Sequence, residues 1–195
     1  MKRVVLFGPP GVGKGTQGGR LAATLGVPVI STGDLFRAHV RNGTDLGKRL
    51  SALIAAGDYV PDSVTNTMLA ERLAEPDAQG GFLLDGYPRT ADQVAELDRL
   101  LALSDTSLDA VLLLSASDDV LEERLLKRAA EQGRSDDTPE VIRHRLALYH
   151  AETEPLVALY DAADLVLRVD GVGTTDEVHE RLIAAIGQVE PSALP

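Results

Sequence analysis

The chain has 195 residues, a formal net charge of −11 and no cysteine, which excludes a disulfide framework and a zinc site built on thiolates. Its diffuse negative charge argues against nucleic acids and anionic membranes as partners. No apolar run reaches the roughly 18 residues of a membrane-spanning helix, and the first residues read as a strand rather than a signal peptide, so the cytoplasm is the expected location.

Short β-type runs alternate with helical patterns, which is typical of an α/β fold with a parallel sheet. The predicted strands cover residues 3–7, 27–30, 81–84, 110–114 and 164–169. The predicted helices cover residues 14–25, 34–55, 62–74, 90–103, 118–131, 139–161 and 175–187. The first, third and fourth strands are almost wholly apolar, as strands buried on both faces of a sheet are. We therefore predict five parallel strands flanked by helices.

Local signals at the helix ends support these helices. Thr90 and Thr174 each precede a Gln or Glu by three residues, which is the spacing of a capping box. Thr138 stands before a proline that suits a first helical turn. Pro155 is expected to end or kink the long helix predicted for residues 139–161.

A glycine-rich turn, GPPGVGKGTQ over residues 8–17, follows the first strand. Its glycines let successive backbone N–H groups converge on phosphate oxygens, and the next helix adds its positive end, while Lys14 adds a point charge. Because the turn lies between an apolar strand and a helix, it fits a phosphate-binding loop; a turn that binds no ligand is the alternative. Gly15 follows the lysine, where Ser or Thr is usual, which weakens the case for a direct hydroxyl ligand to Mg²⁺.

Five segments, in the family's order and spacing, resemble the adenylate kinase family. They are the phosphate loop, ISTGDLFR (30–37), GDYVPD (57–62), GFLLDGYPRT (81–90) and GRSDD (133–137). The resemblance implies a P-loop NTPase-type core, a helical segment that binds the nucleoside monophosphate (NMP) and a short lid. The implied core comprises residues 1–30, 61–127 and 139–195, the NMP-binding segment residues 31–60 and the lid residues 128–138.

The resemblance also implies a reaction, which is the reversible, Mg²⁺-dependent transfer of a phosphoryl group from ATP to AMP to give two ADP. This activity serves adenine nucleotide homeostasis and purine salvage. The implied partners are ATP, AMP and ADP, and the implied state is a monomer. Longer family members often carry zinc in the lid, but this lid has no cysteine, so no zinc is expected. The alternatives are another monophosphate acceptor, a small-molecule kinase such as a shikimate-kinase-like protein, and a P-loop regulator that binds ATP without transfer.

The resemblance assigns site residues as well. ATP would contact Gly11, Val12, Gly13, Lys14, Gly15, Thr16, Arg128 and Gly173. AMP would contact Thr32, Arg37, Asp58, Tyr59, Val60, Gly86, Tyr87, Pro88, Arg89, Gln93, Arg134 and Arg145. The catalytic side chains would be Lys14, Arg89, Arg128, Arg134 and Arg145, and Asp85 would hold Mg²⁺ through water.

Each assignment has a simpler alternative that the residues alone leave open. Thr32 could cap a helix, and Gln93 could serve only its capping box. Arg37 and Arg89 could be surface arginines, as most arginines are. Asp85, at the end of an apolar strand, could be a turn or capping residue.

Five arginines lie within residues 124–145 of an otherwise acidic chain. Arginine suits a phosphate ligand because its planar fork binds two oxygens at once and stays charged. Arg124 and Arg128 are four residues apart and share one helix face. We interpret Arg124 and Arg143 as members of a solvated face, and a plain β-turn is the alternative for Gly173.

Overall fold

A sheet of five parallel strands forms the centre of the computed structural model, which describes residues 2–132 and 138–189. The strands are β1 (Arg3–Phe7), β2 (Val29–Ser31), β3 (Phe82–Asp85), β4 (Ala110–Ser115) and β5 (Val166–Asp170). Their order in the sheet is β2-β3-β1-β4-β5, and every neighbouring pair is parallel. All five predicted strands are confirmed, with ends that differ from the prediction by at most two residues.

Helices cover both faces of this sheet. They are α1 (Lys14–Leu25), α2 (Thr32–Arg41), α3 (Asp45–Ala56), α4 (Asp62–Leu73), α5 (Ala91–Ala102), α6 (Asp118–Gln132), α7 (Pro139–Leu148), α8 (Val157–Asp161) and α9 (Thr175–Ile186). A π-helical turn (Tyr149–Thr153) and a 3₁₀ turn (Glu154–Leu156) join α7 to α8. None of the helices in the described ranges is long and apolar enough to cross a bilayer.

Two apolar layers form the core, because successive residues of a strand point to opposite faces of the sheet. Val4 and Leu83 face the layer that contains α1, α6, α7 and α9. Val5 and Leu84 face the layer that contains α4, α5 and α8. All four side chains have no exposed surface, so the prediction of central strands buried on both faces is confirmed. The carboxyl ends of these strands then lie at one edge, where open α/β sheets bind ligands.

The single helix predicted over residues 34–55 is wrong, because two helices occupy this range. Helix α2 ends at Arg41, and Gly43 has a φ of 62°, a left-handed conformation that stops the helix. The Thr44 side chain then caps α3 by accepting a hydrogen bond from the N–H of Gly47 at 3.0 Å. The apolar periodicity continues on both sides of the turn, so it does not reveal the reversal of direction.

The segment from α2 to Val60 has a small apolar core of its own. Phe36, Leu50 and Val60 are buried together, apart from the two layers of the sheet. Helices α2 and α3 supply the first two of these side chains. This arrangement agrees with a helical insertion between β2 and the rest of the core.

The predicted capping residues Thr90, Thr138 and Thr174 all accept a hydrogen bond from the third residue of their helix. Only Thr174 forms a complete capping box, with Glu177 bonding back to its N–H. The predicted disruption at Pro155 is also confirmed, although α-helical geometry already ends at Leu148. A proline cannot donate a backbone hydrogen bond to the preceding turn, so the helix cannot continue regularly through it.

The packing of α2 on α3 generates a prediction about Gly47. A Cβ at this position would lie 2.1 Å from the carbonyl oxygen of His39 and 2.6 Å from the backbone nitrogen of Val40. Because these are backbone atoms, we expect Gly47→Ala to lower the free energy of unfolding by about 1–3 kcal/mol, as measured by urea denaturation.

Gly19→Ala is the matched control, since a Cβ on Gly19 in helix α1 would meet no atom within 4 Å. This change should raise the free energy of unfolding by roughly 0.5–1 kcal/mol, because alanine loses less backbone entropy in a helix. Equal effects of the two substitutions would contradict close packing at Gly47.

Candidate functional site

A cavity of about 780 Å³ lies at the carboxyl edge of the sheet. Three loops line it: the glycine-rich loop after β1, the turn after β3 and the loop after β5. Side chains of helices α2, α6 and α7 also reach it. Its volume is in the usual range for a small-molecule site, and its position is the one expected for a ligand of an open α/β sheet.

The glycine-rich loop presents the start of α1 to this cavity. Residues 10–17 all line the cavity, and Gly13 precedes the helix with a φ of 109°. No side chain of the described chain caps α1, so its first backbone N–H groups have no intrahelical or side-chain acceptor. Such N–H groups, together with the positive end of the helix, form a binding site for phosphate.

The Lys14 ammonium lies within this loop. Its Nζ donates hydrogen bonds to the carbonyl oxygens of Gly8 at 2.6 Å and Pro9 at 2.9 Å. The pKa of Lys14 is lowered to about 8, mainly because burial disfavours the charged form. The Asp85 carboxylate opposes this shift, whereas three guanidinium groups add to it.

These guanidinium groups belong to three separate parts of the fold. Arg89 lies in the turn after β3, Arg128 on α6 and Arg145 on α7, and all three line the cavity. Arg37 of α2 lines it as well, with its Nη2 at 2.6 Å from Asp34. Arg134, the remaining predicted arginine, lies outside the described residues.

The backbone and the side chain of Arg89 are both held by neighbouring groups. Its N–H donates to the Oε1 of Gln93 at 2.8 Å, and its Nε donates to the carbonyl of Gly86 at 2.8 Å. The ring of Tyr59 lies 5.0 Å from the guanidinium carbon, within the range of a cation–π contact. Within residues 2–132 and 138–189, neither Nη atom of Arg89 has a hydrogen-bond partner.

Gly86 and Thr32 shape the turn that carries Arg89. Gly86 has a φ of 77°, and a Cβ there would lie 2.8 Å from the Nη2 of Arg89. The buried Thr32 hydroxyl donates to the carbonyl of Gly86 at 2.8 Å. Ser31, not Thr32, caps α2, so the capping alternative for Thr32 is wrong. Tyr87 and Pro88 continue the turn along the cavity wall.

Among the predicted AMP contacts that the structure describes, four do not lie on the cavity wall, namely Thr32, Gln93, Asp58 and Val60. Gln93 is 2% exposed, and its Nε2 donates to Asp62 at 2.6 Å. The exposed Asp58 carboxylate lies 2.7 Å from the Nε2 of His144. Val60 is buried in the small core of residues 32–60. Their roles toward AMP stay predictions.

Arg124 is the one residue in this region whose interpretation is wrong. It is half-buried and lines the cavity, and its Nη1 donates to the carbonyls of Gly171 at 3.0 Å and Val12 at 3.4 Å. It thus joins the glycine-rich loop to the loop after β5, which also carries Gly173 along the cavity wall. The sequence did contain a signal for this position of Arg124, since its four-residue spacing puts it on the same helix face as Arg128, a predicted site residue. Arg143 is exposed beside Glu140, as interpreted.

Asp85 is the carboxylate best placed to interact with a cation. It ends β3, lines the cavity and lies near enough to Lys14 to affect its pKa. Among the described residues, no group of three acidic or histidine side chains is arranged to hold a metal ion. A single carboxylate fits Mg²⁺, which keeps several waters and takes further ligands from substrate phosphates.

Comparisons with known proteins agree with this geometry. The adenylate kinase family model matches residues 6–165. The adenylate kinase of Kocuria rhizophila is 55% identical over 186 residues, covering 95% of this chain and 99% of the relative. That of Renibacterium salmoninarum is 54% identical over 189 residues, covering 97% and 98%. That of a Nocardioides species is 50% identical over 190 residues, covering 97% and 100%.

The lowered pKa of Lys14 predicts a pH dependence of triphosphate binding. Above a pKa of about 8 the ammonium loses its proton, and the free protein loses a charge that attracts phosphate. We expect the affinity for ATP to fall about tenfold between pH 8 and pH 9.5, measured by titration calorimetry.

The affinity for AMP serves as the internal control for this measurement. Arginine guanidinium groups stay charged far above this range, so AMP binding, for which we predict Arg37 and Arg89 as the phosphate ligands, should be unchanged between pH 8 and pH 9.5. An ATP affinity that stays constant to pH 9.5 would exclude the Lys14 charge as a determinant.

Proposed function

We infer that the cavity is a phosphoryl-transfer site, because the chain belongs to the adenylate kinase family. The reaction of this family is the reversible transfer of a phosphoryl group from ATP to AMP, with two ADP as products. The observation that carries the assignment to this cavity is the convergence of Lys14 with Arg37, Arg89, Arg128 and Arg145, which come from four other segments of the chain.

We propose that ATP binds on the side of the glycine-rich loop. The N–H groups of residues 11–16 would hold its phosphates, with Lys14 adding charge. A bound phosphate would offer the Lys14 ammonium a stronger partner than the carbonyls of Gly8 and Pro9, because charge-assisted hydrogen bonds exceed neutral ones. Arg128 and Gly173, which also line the cavity, are proposed to contact ATP.

AMP is proposed to bind opposite, between residues 31–60 and the turn after β3. Arg37 and Arg89 would hold its phosphate, since both line the cavity, Arg37 from α2 and Arg89 from the turn after β3. The backbone of residues 58–60, the Thr32 hydroxyl and the Gln93 amide are proposed to recognise its base. The separate apolar core of the segment supports treating it as a unit that closes on AMP.

The chemistry that these residues supply is charge neutralisation and positioning. The attacking atom would be an AMP phosphate oxygen that is already ionised at neutral pH, so the reaction requires no general base. Lys14, Arg89, Arg128 and Arg145, together with Arg134, would stabilise the charge that spreads over the transferring group.

Mg²⁺ is the expected cofactor, and Asp85 would hold it through water. When bound with ATP, Mg²⁺ neutralises phosphate charge. Lid closure that excludes water is a known property of this family, and residues 128–138 are proposed to carry it, with residues 1–30, 61–127 and 139–195 as the core. The monomeric state stays a prediction from the resemblance, and the cytoplasmic location stays a prediction from the sequence.

Acceptor choice is tested directly by an ADP-formation assay with ATP, Mg²⁺ and each of AMP, UMP, CMP and GMP. We expect AMP to give the highest kcat/KM, because the Gln93 amide can match the donor and acceptor of adenine. A higher kcat/KM with another monophosphate would contradict the assignment of the base pocket.

The role of Arg89 generates a separate prediction. Arg89→Ala should lower kcat/KM for AMP by about 10²–10⁵-fold, as the loss of other phosphate-clamping arginines does. Circular dichroism would show that the variant is folded.

Arg99→Ala is the matched control, because Arg99 is exposed on α5 and forms an ion pair with Glu96 one turn earlier. It should leave kcat/KM within about twofold of wild type, because loss of an exposed ion pair changes the stability of the folded enzyme little. An Arg89→Ala effect below tenfold would remove Arg89 from the site.

A further inference from the structure

The π-helical turn at Tyr149–Thr153 brings a buried hydroxyl to the edge of the cavity. π-helical turns are rare and occur often at functional sites. Within this turn Thr153 is only 5% exposed and lines the cavity, whereas its sequence neighbours Glu152 and Glu154 are exposed. Within this turn Thr153 and Tyr149 are the two buried residues, and both line the cavity.

The Thr153 hydroxyl connects two residues of the proposed AMP site. Its Oγ1 lies 3.0 Å from the carbonyl oxygen of Arg89 and 2.8 Å from the phenol oxygen of Tyr59. A carbonyl can only accept, so the threonine proton points to Arg89. The Tyr59 phenol must then be the donor to Thr153, which gives a chain that runs from Tyr59 through Thr153 to Arg89.

This chain completes the fixation of Arg89. Its N–H is held by Gln93 and its Nε by Gly86, while the Tyr59 ring contacts the guanidinium group. Thr153 holds the remaining backbone group, the carbonyl. Hydrogen bonds in such a chain polarise one another, and a buried carbonyl that loses its donor is destabilised.

We propose that Thr153 is a positioning residue for the acceptor site. Through its hydrogen bonds with the Arg89 carbonyl and Tyr59, Thr153 sets the direction of the Arg89 guanidinium group. The proposal rests on the proposed role of Arg89 in binding AMP. Thr153 connects the segment of residues 31–60, which carries Tyr59, to the π-helical turn after α7.

Thr153→Val tests the proposal, since valine keeps the shape of threonine and removes the hydroxyl. We expect the Kd for AMP, measured by titration calorimetry, to rise about tenfold, because the Arg89 carbonyl and the Tyr59 phenol both lose a buried partner. The Kd for ATP should stay within about twofold, since the ATP side shares none of these contacts.

Two further variants separate positioning from general stability. Thr153→Ser restores a hydroxyl and should return the AMP affinity to within about threefold of wild type. Tyr59→Phe removes only the donor to Thr153 and keeps the ring beside Arg89, so it should have a smaller effect than Thr153→Val. Thr106→Val is the matched control, because its hydroxyl also donates to a backbone carbonyl, that of Leu101, away from the cavity.

A double-mutant cycle with Arg89→Lys gives the sharpest test. If Thr153 acts through Arg89, then Thr153→Val should weaken AMP binding much less in the Arg89→Lys protein than in wild type, because interacting residues are not additive. Additive effects, equal losses of ATP and AMP affinity, or no rescue by serine would each overturn the proposal.

Failure of this inference is distinguishable from failure of the proposed function. A small effect of Arg89→Ala on AMP would contradict the role of Arg89 itself. A large effect of Arg89→Ala combined with an unchanged AMP affinity in Thr153→Val would overturn only the positioning role. Tyr59→Phe supplies the same comparison if the valine variant does not fold.

Discussion

Close approach of several positive side chains at one edge of the sheet is the constraint on which the rest of the structure depends. Lys14, Arg89, Arg128 and Arg145 are near enough to interact electrostatically, in a chain whose net charge is −11. Like charges at short range repel, and burial strengthens the repulsion. The arrangement persists because the elements that carry these side chains are fixed by apolar packing elsewhere. Bound phosphates would relieve the repulsion, so the site is complementary to a ligand of high negative charge.

The fold separates a fixed frame from the parts proposed to move. Strands β1, β3 and β4 are packed between two apolar layers, and the glycine-rich loop begins directly from β1. Residues 32–60 have a small core against which Val64 and Met68 of α4 also pack, and polar contacts join them to the frame as well, such as Thr32 with Gly86 and Asp58 with His144. The latter pair is exposed, and exposed ion pairs contribute at most about 1 kcal/mol.

Some residues contribute to both the scaffold and the proposed site, and they use different atoms for the two roles. Arg89 uses its N–H, its carbonyl and its Nε for contacts within the protein, and among residues 2–132 and 138–189 its Nη atoms have no hydrogen-bond partner, as the proposed phosphate contact requires. A guanidinium group held in this way loses little conformational entropy on binding, which favours affinity and precise placement. Arg124 provides the corresponding support on the other side of the cavity by joining two loops.

Features encoded within about ten residues could be read from the sequence, because apolar periodicity, glycine turns and caps are local properties. The strands, the phosphate loop and the caps at Thr138 and Thr174 are of this kind. The turn at Gly43 was not predicted, because the apolar periodicity of α2 continues in α3 and does not show that the chain changes direction between them. The long-range contacts of Arg124, Gln93 and Thr153 depend on atoms 31 to 112 positions away along the chain. Only tertiary packing decides which carbonyl or carboxylate a long polar side chain meets, and no local pattern encodes that choice.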